Sequence, residues 1–406
     1  VSAIDRAVVA AIVFMYAAIP LYGTFAVFDP LRVAMPVIVP GQIAIGIGAL
    51  MLIAASLCVW GAFRRPAPRR IVIAQLLAGG GTTVAALLGF DPGTGLKLGI
   101  IVLAMGAVGI ATYGYSALPG VTRAIVIAVL ASGTLASLVA FAMLLTRTPA
   151  ALYAYNNGRA VGIFLNPNEL AAYLLVVLGL AAGVAIAAPN GALRTFAFVT
   201  LVAGGLAFGT TYSRWGFLAA VCGALIYAIA AGRRRTWIGL GVIVVVAGLL
   251  LIGPAQALHH NPRDDTARYP AWVSGIRTAL AFPFSGIGPL AFRRTYDVVR
   301  PPDAPDGEAP VAFDPHSLPL AFFAESGLLG IASLLVGVGL YMREILRTLA
   351  GAARDRRVLG WALFAGIMAL NIHVLVNTIS IWFPLATQGL ALTLALAQRG
   401  LDGSPA

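Results

Sequence analysis

Arg-Tyr-Pro-Ala-Trp at 268–272, Pro-Phe-Ser-Gly-Ile-Gly-Pro at 283–289 and Asp-Pro-His-Ser at 314–317 punctuate one long polar interruption in an apolar chain. The interruption runs from Arg268 to Glu325 and ends inside an apolar run that also carries Gly327 and Gly330. It holds one of only four histidines. Its contrast with its flanks decides the fold class. Of 406 residues, 60% are hydrophobic and 10% charged, where soluble domains average roughly 45–50% and 25%. Mean hydropathy is +0.92. Such a chain is built for lipid.

Apolar runs long enough to span lie near 7–28, 41–62, 71–90, 98–118, 124–146, 163–188, 196–210, 215–231, 237–253, 318–341, 358–377 and 381–398. Each approaches the roughly 20 residues that cross a bilayer as a helix. The expected fold is all-α, a polytopic transmembrane helical bundle of about 12 spans. Spans one to nine occupy 1–253, a polar outer segment 254–317, and the last three spans with a short tail 318–406. The first run has no small-residue cleavage site and is expected to remain a span. Cys58 and Cys222 sit inside apolar runs and fit neither a disulfide framework nor a metal site.

Formal net charge is +12, carried almost wholly by arginine, since Lys97 is the only lysine. With the amino terminus inside, Arg6, Arg64, Arg65, Arg69, Arg70, Arg123, Arg194, Arg233 to Arg235, the arginines between 343 and 357, and Arg399 fall on the cytoplasmic side. The short outer loops receive only Arg32, Lys97, Arg147, Arg159 and Arg214. Cytoplasmic loops gather basic residues, so the charge is a topology signal with both termini inside, and no nucleic-acid footprint. The outer segment's own arginines need another reason, because long loops translocate regardless of charge.

Within that segment, Gly253-Pro254, His259, His260 and Asn261-Pro262 make a turn-rich start. Residues 266–281 have the pattern of an amphipathic helix, with Arg268, Trp272 and Gly275 at i, i+4 and i+7 and Pro270 tolerated near its beginning. The Pro- and Asp-rich stretch 301–310 reads as a solvated linker.

Three outer arginines stand out. Arg159 precedes Gly162 and Asn166-Pro167-Asn168-Glu169, Arg214 follows Ser213 in a very short turn, and Arg268 heads the amphipathic helix. Any one of them is accounted for by snorkelling to headgroups. Three on one face, beside Asn, Ser, Tyr and Trp, suggest an anion. The planar, permanently charged fork of arginine matches two phosphate oxygens and could hold a diphosphate without a metal. His316 can take a proton from a hydroxyl near neutral pH, and a helix-cap or interfacial role is its equal alternative. Glu325, a carboxylate at membrane depth, must be paired or face a cavity; a structural partner is preferred to a catalyst, and Glu169 is read in the same way. Gly327 and Gly330 allow close helix packing. Asn371, His373 and Asn377 share roughly one helical face and read as interhelical hydrogen bonding. The sequence has no nucleotide-binding loop and its outer acids lie mainly in the linker, which is compatible with chemistry that uses neither a nucleotide cofactor nor a metal.

Taken in order, Arg159 with Gly162 and Asn166-Pro167-Asn168, Ser213-Arg214, Arg268 through Trp272, the Pro-Phe-Ser-Gly-Ile-Gly turn, and His316-Ser317 followed by Glu325, Gly327 and Gly330 resemble the O-antigen ligase and polymerase superfamily. The likeness covers roughly residues 155–335, and Ser317 departs from the family's frequent Asn. The resemblance implies a GT-C-like glycosyltransferase of the bacterial inner membrane, working at the periplasmic face on undecaprenyl-diphosphate-linked glycans. Its ligase form transfers O-antigen to a sugar hydroxyl of lipid A–core during lipopolysaccharide biosynthesis. On that implication Arg159, Arg214 and Arg268 hold the diphosphate, and Arg214 and Arg268 stabilise leaving charge. His316 orients or deprotonates the acceptor, while Asn168, Ser213, Trp272 and Glu325 support them. Transfer would invert the anomeric centre without a metal. The partners implied are the lipid-linked glycan, the lipid A–core acceptor and membrane lipids, with a homo-oligomer left open. An O-antigen polymerase and a protein O-oligosaccharyltransferase are alternatives within the superfamily. From a different class, a transporter could use the arginines to guide an anion, and discontinuous midplane helices would be its sign.

Overall fold

The computed structural model describes residues 2–24, 41–164, 166–189, 191–252, 259, 268–302 and 314–402. His260, Asn261-Pro262, Arg32 and most of the Pro-rich linker lie outside these residues. Among the described residues all regular structure is helical. The elements are α1 (Ala3–Ala17), α2 (Ile19–Thr24), α3 (Gly41–Arg64), α4 (Arg69–Leu87), α5 (Pro92–Tyr115), α6 (Val121–Thr146), α7 (Ala150–Tyr155) and α8 (Pro167–Ala187). They continue as α9 (Ala192–Thr210), α10 (Arg214–Ala231), α11 (Arg234–Ile252), α12 (Arg268–Ala281), α13 (Phe292–Val299), α14 (Leu318–Gly351), α15 (Arg354–His373) and α16 (Trp382–Arg399).

Among the described residues each apolar run falls on helix, the first on α1 and α2 together, and 8 helices are long and apolar enough to cross a membrane where about 12 spans were expected. The chain is a multi-pass membrane protein. α1 falls short at 15 residues, and the apolar part of α11 is Thr236–Leu250. α15 opens with Arg-Asp-Arg-Arg, and α16 carries Thr387, Gln388, Thr393 and Gln398. Both helices are enclosed by others: Leu359, Leu363, Ile367 and Leu370 of α15 and Leu392, Leu394 and Leu396 of α16 are buried. A helix surrounded by protein can carry polar groups that its neighbours satisfy, so its hydropathy drops. Leu52, Leu135, Phe198, Ile229 and Leu249 point outward instead, an apolar coat suited to lipid.

α15 lies against α8, α10 and α16. Its approach to α8 is backbone to backbone, because a Cβ on Gly366 would stand 2.7 Å from the Leu175 carbonyl oxygen and one on Gly179 2.7 Å from that of Ala362. Small residues at such crossings give membrane helices their van der Waals contact.

α14 is not one regular helix. It breaks at Gly327 (φ 59°, ψ −164°), and the Pro-Phe-Ser-Gly-Ile-Gly turn is stitched into the break. The carbonyls of Ala324 and Glu325 accept the N–H groups of Ile287 (3.1 Å) and Gly288 (2.9 Å). In return the N–H groups of Leu328 and Leu329 donate to the carbonyls of Pro283 (2.7 Å) and Phe284 (3.0 Å). Four backbone groups freed by the break are thus satisfied by protein, the condition for irregular backbone at membrane depth. Gly286 and Gly327 face each other here, both at positive φ; a Cβ on either would lie 2.3 or 2.4 Å from the opposing backbone.

The turn is held from the other side as well. Phe90 N–H donates to the Ile287 carbonyl (2.9 Å), Phe90 and Phe282 meet edge to face, and Asp91 lies 3.9 Å from Arg294 of α13. The Thr94 N–H and hydroxyl hold the Asp91 carboxyl below the usual carboxylate range, with Arg294 adding to the effect. α12 buries Pro270, Ala271, Ser274, Gly275, Thr278 and Ala279 as a helical stripe. Gly275 seats that stripe against Leu320 and Pro315, on either side of His316 in the chain.

Candidate active site

Asn166 caps α8, accepting the Asn168 N–H at 2.8 Å, and Pro167 occupies the first turn where no backbone donor is needed. This fixes Asn168 at the helix mouth. Its Oδ1 accepts from the Arg159 guanidinium at 3.3 Å and from the Ser213 hydroxyl at 2.8 Å, which fills both lone pairs. Arg159 Nε also donates to the Thr211 carbonyl at 2.7 Å. Ser213 is the N-cap of α10, its Oγ accepting the Gly216 N–H at 3.3 Å, so Arg214 is the first residue of that helix and partly buried. Two turns far apart in the chain are thereby clamped together.

The clamp extends through α15. His373 is fully buried, with Nε2 3.1 Å from the Asn168 carbonyl oxygen; a carbonyl can only accept, so this nitrogen carries the proton. The His373 carbonyl accepts from Asn377 Nδ2 at 3.2 Å, and Asn377 Oδ1 accepts from Arg268 at 3.4 Å. Both Arg159 and Arg268 are near enough for their charges to reach the His373 ring. Arg159, Asn168, Ser213 and Arg268 are therefore joined at one end of the bundle, with Arg214 beside Ser213.

His316 is brought to the same end of α15 by its neighbour in the chain. Leu318 N–H donates to the Val374 carbonyl at 3.0 Å, which docks the His316-Ser317-Leu318 segment directly beside His373. His316 adopts the left-handed region (φ 50°), and its N–H donates to Asp314 Oδ1 at 2.6 Å. That is an Asx turn across Pro315. The same carboxylate oxygen lies 4.0 Å from His316 Nδ1, within ion-pair range. Ser317 is buried as the N-cap of α14. Trp272, one turn beyond Arg268, has its indole N–H buried without a hydrogen-bond partner.

Glu325 takes a supporting position. Its Oε1 accepts the Leu290 N–H at 3.0 Å, where the stitched turn leads into α13, and it feels the charge of Asp314. Glu169 similarly accepts the Ser380 N–H at 3.1 Å. Asn371 Oδ1 accepts from the Trp382 indole at 3.1 Å, an interhelical contact. His259, a weak signal in the sequence, stacks on Tyr212 at 4.3 Å and has Nδ1 2.6 Å from the Asn157 carbonyl oxygen.

Electrostatics favours an anion here. α8, α10 and α14 begin at this end, and helix N-termini carry partial positive charge. Arg214 opens α10 and Arg268 is the first described residue of α12, with no acid in either first turn. A cation in that position costs about 0.3–1 kcal/mol against the helix dipole, a cost an anionic ligand would reverse. Backbone strain gathers at the same end. Among the described residues the non-glycine residues at positive φ are Arg147, Asn157, Tyr212, Leu290 and His316. Such conformations cost of order 1–3 kcal/mol each and cluster at functional sites.

Sequence reasoning did not single out Asp314, Thr211 or Asn377 as parts of this site. Asp314 had a local signal, the Asp-Pro-His spacing of an Asx turn. Asn377 was read as sharing a helical face with Asn371 and His373, but α15 ends at His373 and Asn377 lies beyond it, bonded to Arg268 109 positions away.

A family model described as O-antigen ligase matches residues 196–335, from α9 to just past the break in α14. The match takes in Ser213, Arg214, Arg268, Trp272, His316 and Glu325, and it agrees with the resemblance carried by the motifs. No curated protein matches the chain.

Proposed function

We propose that this chain is an O-antigen ligase of the bacterial inner membrane, with both termini cytoplasmic and the site described above facing the periplasm. The observation that carries the reading is the bonded path from Arg159 through Asn168, His373 and Asn377 to Arg268. It fixes two guanidiniums drawn from distant segments at one membrane face, with Arg214 and His316 seated on the same framework. The family match supports the chemistry and does not separate ligase from polymerase.

In this reading the donor is a glycan on undecaprenyl diphosphate. Arg159, Arg214 and Arg268 bind the diphosphate, and charge developing on the departing oxygen is stabilised by donors already in place. A sugar hydroxyl of lipid A–core attacks the anomeric carbon from the opposite side. The new C–O bond forms as the bond to the diphosphate breaks, with inversion, and the hydroxyl proton passes to His316. Asp314 holds His316 in its strained backbone and orients the ring. The diphosphate charge is met by arginine, so the scheme calls for no metal.

A transporter would be expected to leave the backbone groups of a broken helix open to its cargo. In α14 those groups bond to the 283–288 turn, which favours a one-sided site. The test is reconstitution of purified protein with lipid-linked O-antigen and rough lipopolysaccharide, without nucleotide. Glycan appearing on lipopolysaccharide is the expected result. Elongation of the lipid-linked glycan would mean a polymerase, and no transfer of either kind would overturn the reading.

A further inference from the structure

At the end of the bundle opposite this site, a cavity of about 800 Å³ opens between α8, α9, α10, α11 and α15. Arg194, Arg233, Arg354 and Arg357 line its mouth, with Asp355 the one acid among the lining residues. Ala182, Ala224, Tyr227 and Ile243 form its inner wall and also line a second cavity of about 410 Å³ that runs on between the same helices. The second cavity is walled by Leu, Val, Ile, Phe, Ala and Gly, with Tyr227 where the two meet. A cationic mouth therefore continues into an apolar slot.

Topology alone accounts for arginines at this end; Arg65, Arg70 and Arg356 are engaged with Asp5, Glu344 and Gln398, and at the cavity mouth Arg357 donates to the Ala352 carbonyl at 2.9 Å. The cavity differs in geometry. α8 and α10 end at it where α9, α11 and α15 begin, and Asp355 sits in the first turn of α15, so helix ends of both signs meet there. The excess charge comes from side chains: four arginines against one acid around one opening make a field for a negative group. A free inorganic anion would leave the adjoining apolar slot without an occupant. An anion carrying a hydrocarbon chain satisfies both halves.

We infer that this pair of cavities is a binding site for an anionic glycerophospholipid. Its phosphodiester would sit among Arg194, Arg233, Arg354 and Arg357, with one acyl chain in the slot between α8, α10, α11 and α15. The slot's far end, at Phe208, Gly209 and Phe217, lies within a few residues of Thr211 and Ser213, so a bound chain would brace the helices that present the opposite site. The inference does not depend on which glycan is transferred.

The test is native mass spectrometry of purified protein in phosphatidylcholine nanodiscs titrated with dioleoyl phosphatidylglycerol. One phosphatidylglycerol should be retained at least about tenfold better than phosphatidylcholine, a difference of roughly 1.4 kcal/mol. The double variant Arg233→Gln/Arg354→Gln should lose it, whereas Arg69→Gln/Arg123→Gln, at the same end but outside the cavity, should keep it. Ala224→Phe should also lose it by filling the slot, and the arginine pair decides the matter if that variant does not fold. Equal retention, or equal loss, in the two arginine pairs would overturn the site. So would displacement of the lipid by millimolar inorganic phosphate, or a polyprenyl phosphate found in its place.

Discussion

Asn168 shows how much of this site rests on single atoms. Its amide oxygen takes hydrogen bonds from Arg159 and Ser213, and its backbone oxygen takes one from His373. Arg214→Ala or Arg268→Ala should lower the rate of glycan transfer by roughly 10²–10³-fold, as loss of a preorganised donor does. Lysine at either position should restore little, because a point charge lacks the two-pronged fork. Both variants should unfold near the wild-type temperature, and full activity in either would exclude the diphosphate role. Trp272→Phe keeps an aromatic face and removes the pyrrole half of the indole with its buried N–H; if that donor meets substrate, KM should rise about 2- to 10-fold, the worth of one hydrogen bond. At Asp314 two replacements separate turn from charge. Asparagine still accepts the His316 N–H and should retain several-fold more activity than alanine in the same transfer assay. Equal activity would show that the turn does not position His316. The three arginines were legible because topology put them on one face. Their connection was not, because hydrogen bonds such as His373 to Asn168 span 205 positions and leave no local trace.

The broken helix is the element on which the outer segment hangs. Gly286→Ala or Gly327→Ala places a methyl inside the opposing backbone and forces an L-residue to a positive φ. The left-handed conformation costs about 1–2 kcal/mol and overpacking typically 1–3 more. Either substitution should lower the unfolding temperature in detergent by several degrees and reduce the yield of folded protein. Gly330→Ala should destabilise as well, since its methyl would lie 2.3 Å from the Ser326 Cβ, which side-chain rotation does not move. The sequence offered the glycines and Glu325 as a pattern, and an apolar run at 318–341 that read as a single span. Nothing in that run's periodicity announces the break. It is created by a partner segment that precedes it by about 40 residues, and Glu325 is explained only once the Leu290 N–H is in view. The amphipathic helix was accessible as an element, but of the expected stripe Arg268, Trp272 and Gly275 only Gly275 is on the buried face, which is made of small residues whose weak hydrophobicity does not mark it in the sequence.

At the scale of the molecule, hydropathy and arginine placement were sufficient to lay out a helical bundle, and they located α15 and α16 although neither meets the apolarity of a lipid-facing span. The proposed orientation has a direct check. A cysteine at Pro302, which is exposed near the site, should react with an impermeant maleimide in intact spheroplasts, and one at Asp402 should react only after lysis. The reverse pattern would invert the topology. The stitched break also constrains how the protein is made. A continuous α14 would satisfy these groups by itself, the Leu328 and Leu329 N–H groups donating to the Ala324 and Glu325 carbonyls four residues back. The break exchanges those bonds for bonds to the 283–288 turn, so at membrane depth it can form only with the turn in place. The turn lies earlier in the chain and leaves the ribosome first, so the shape of α14 is decided by a segment made before it.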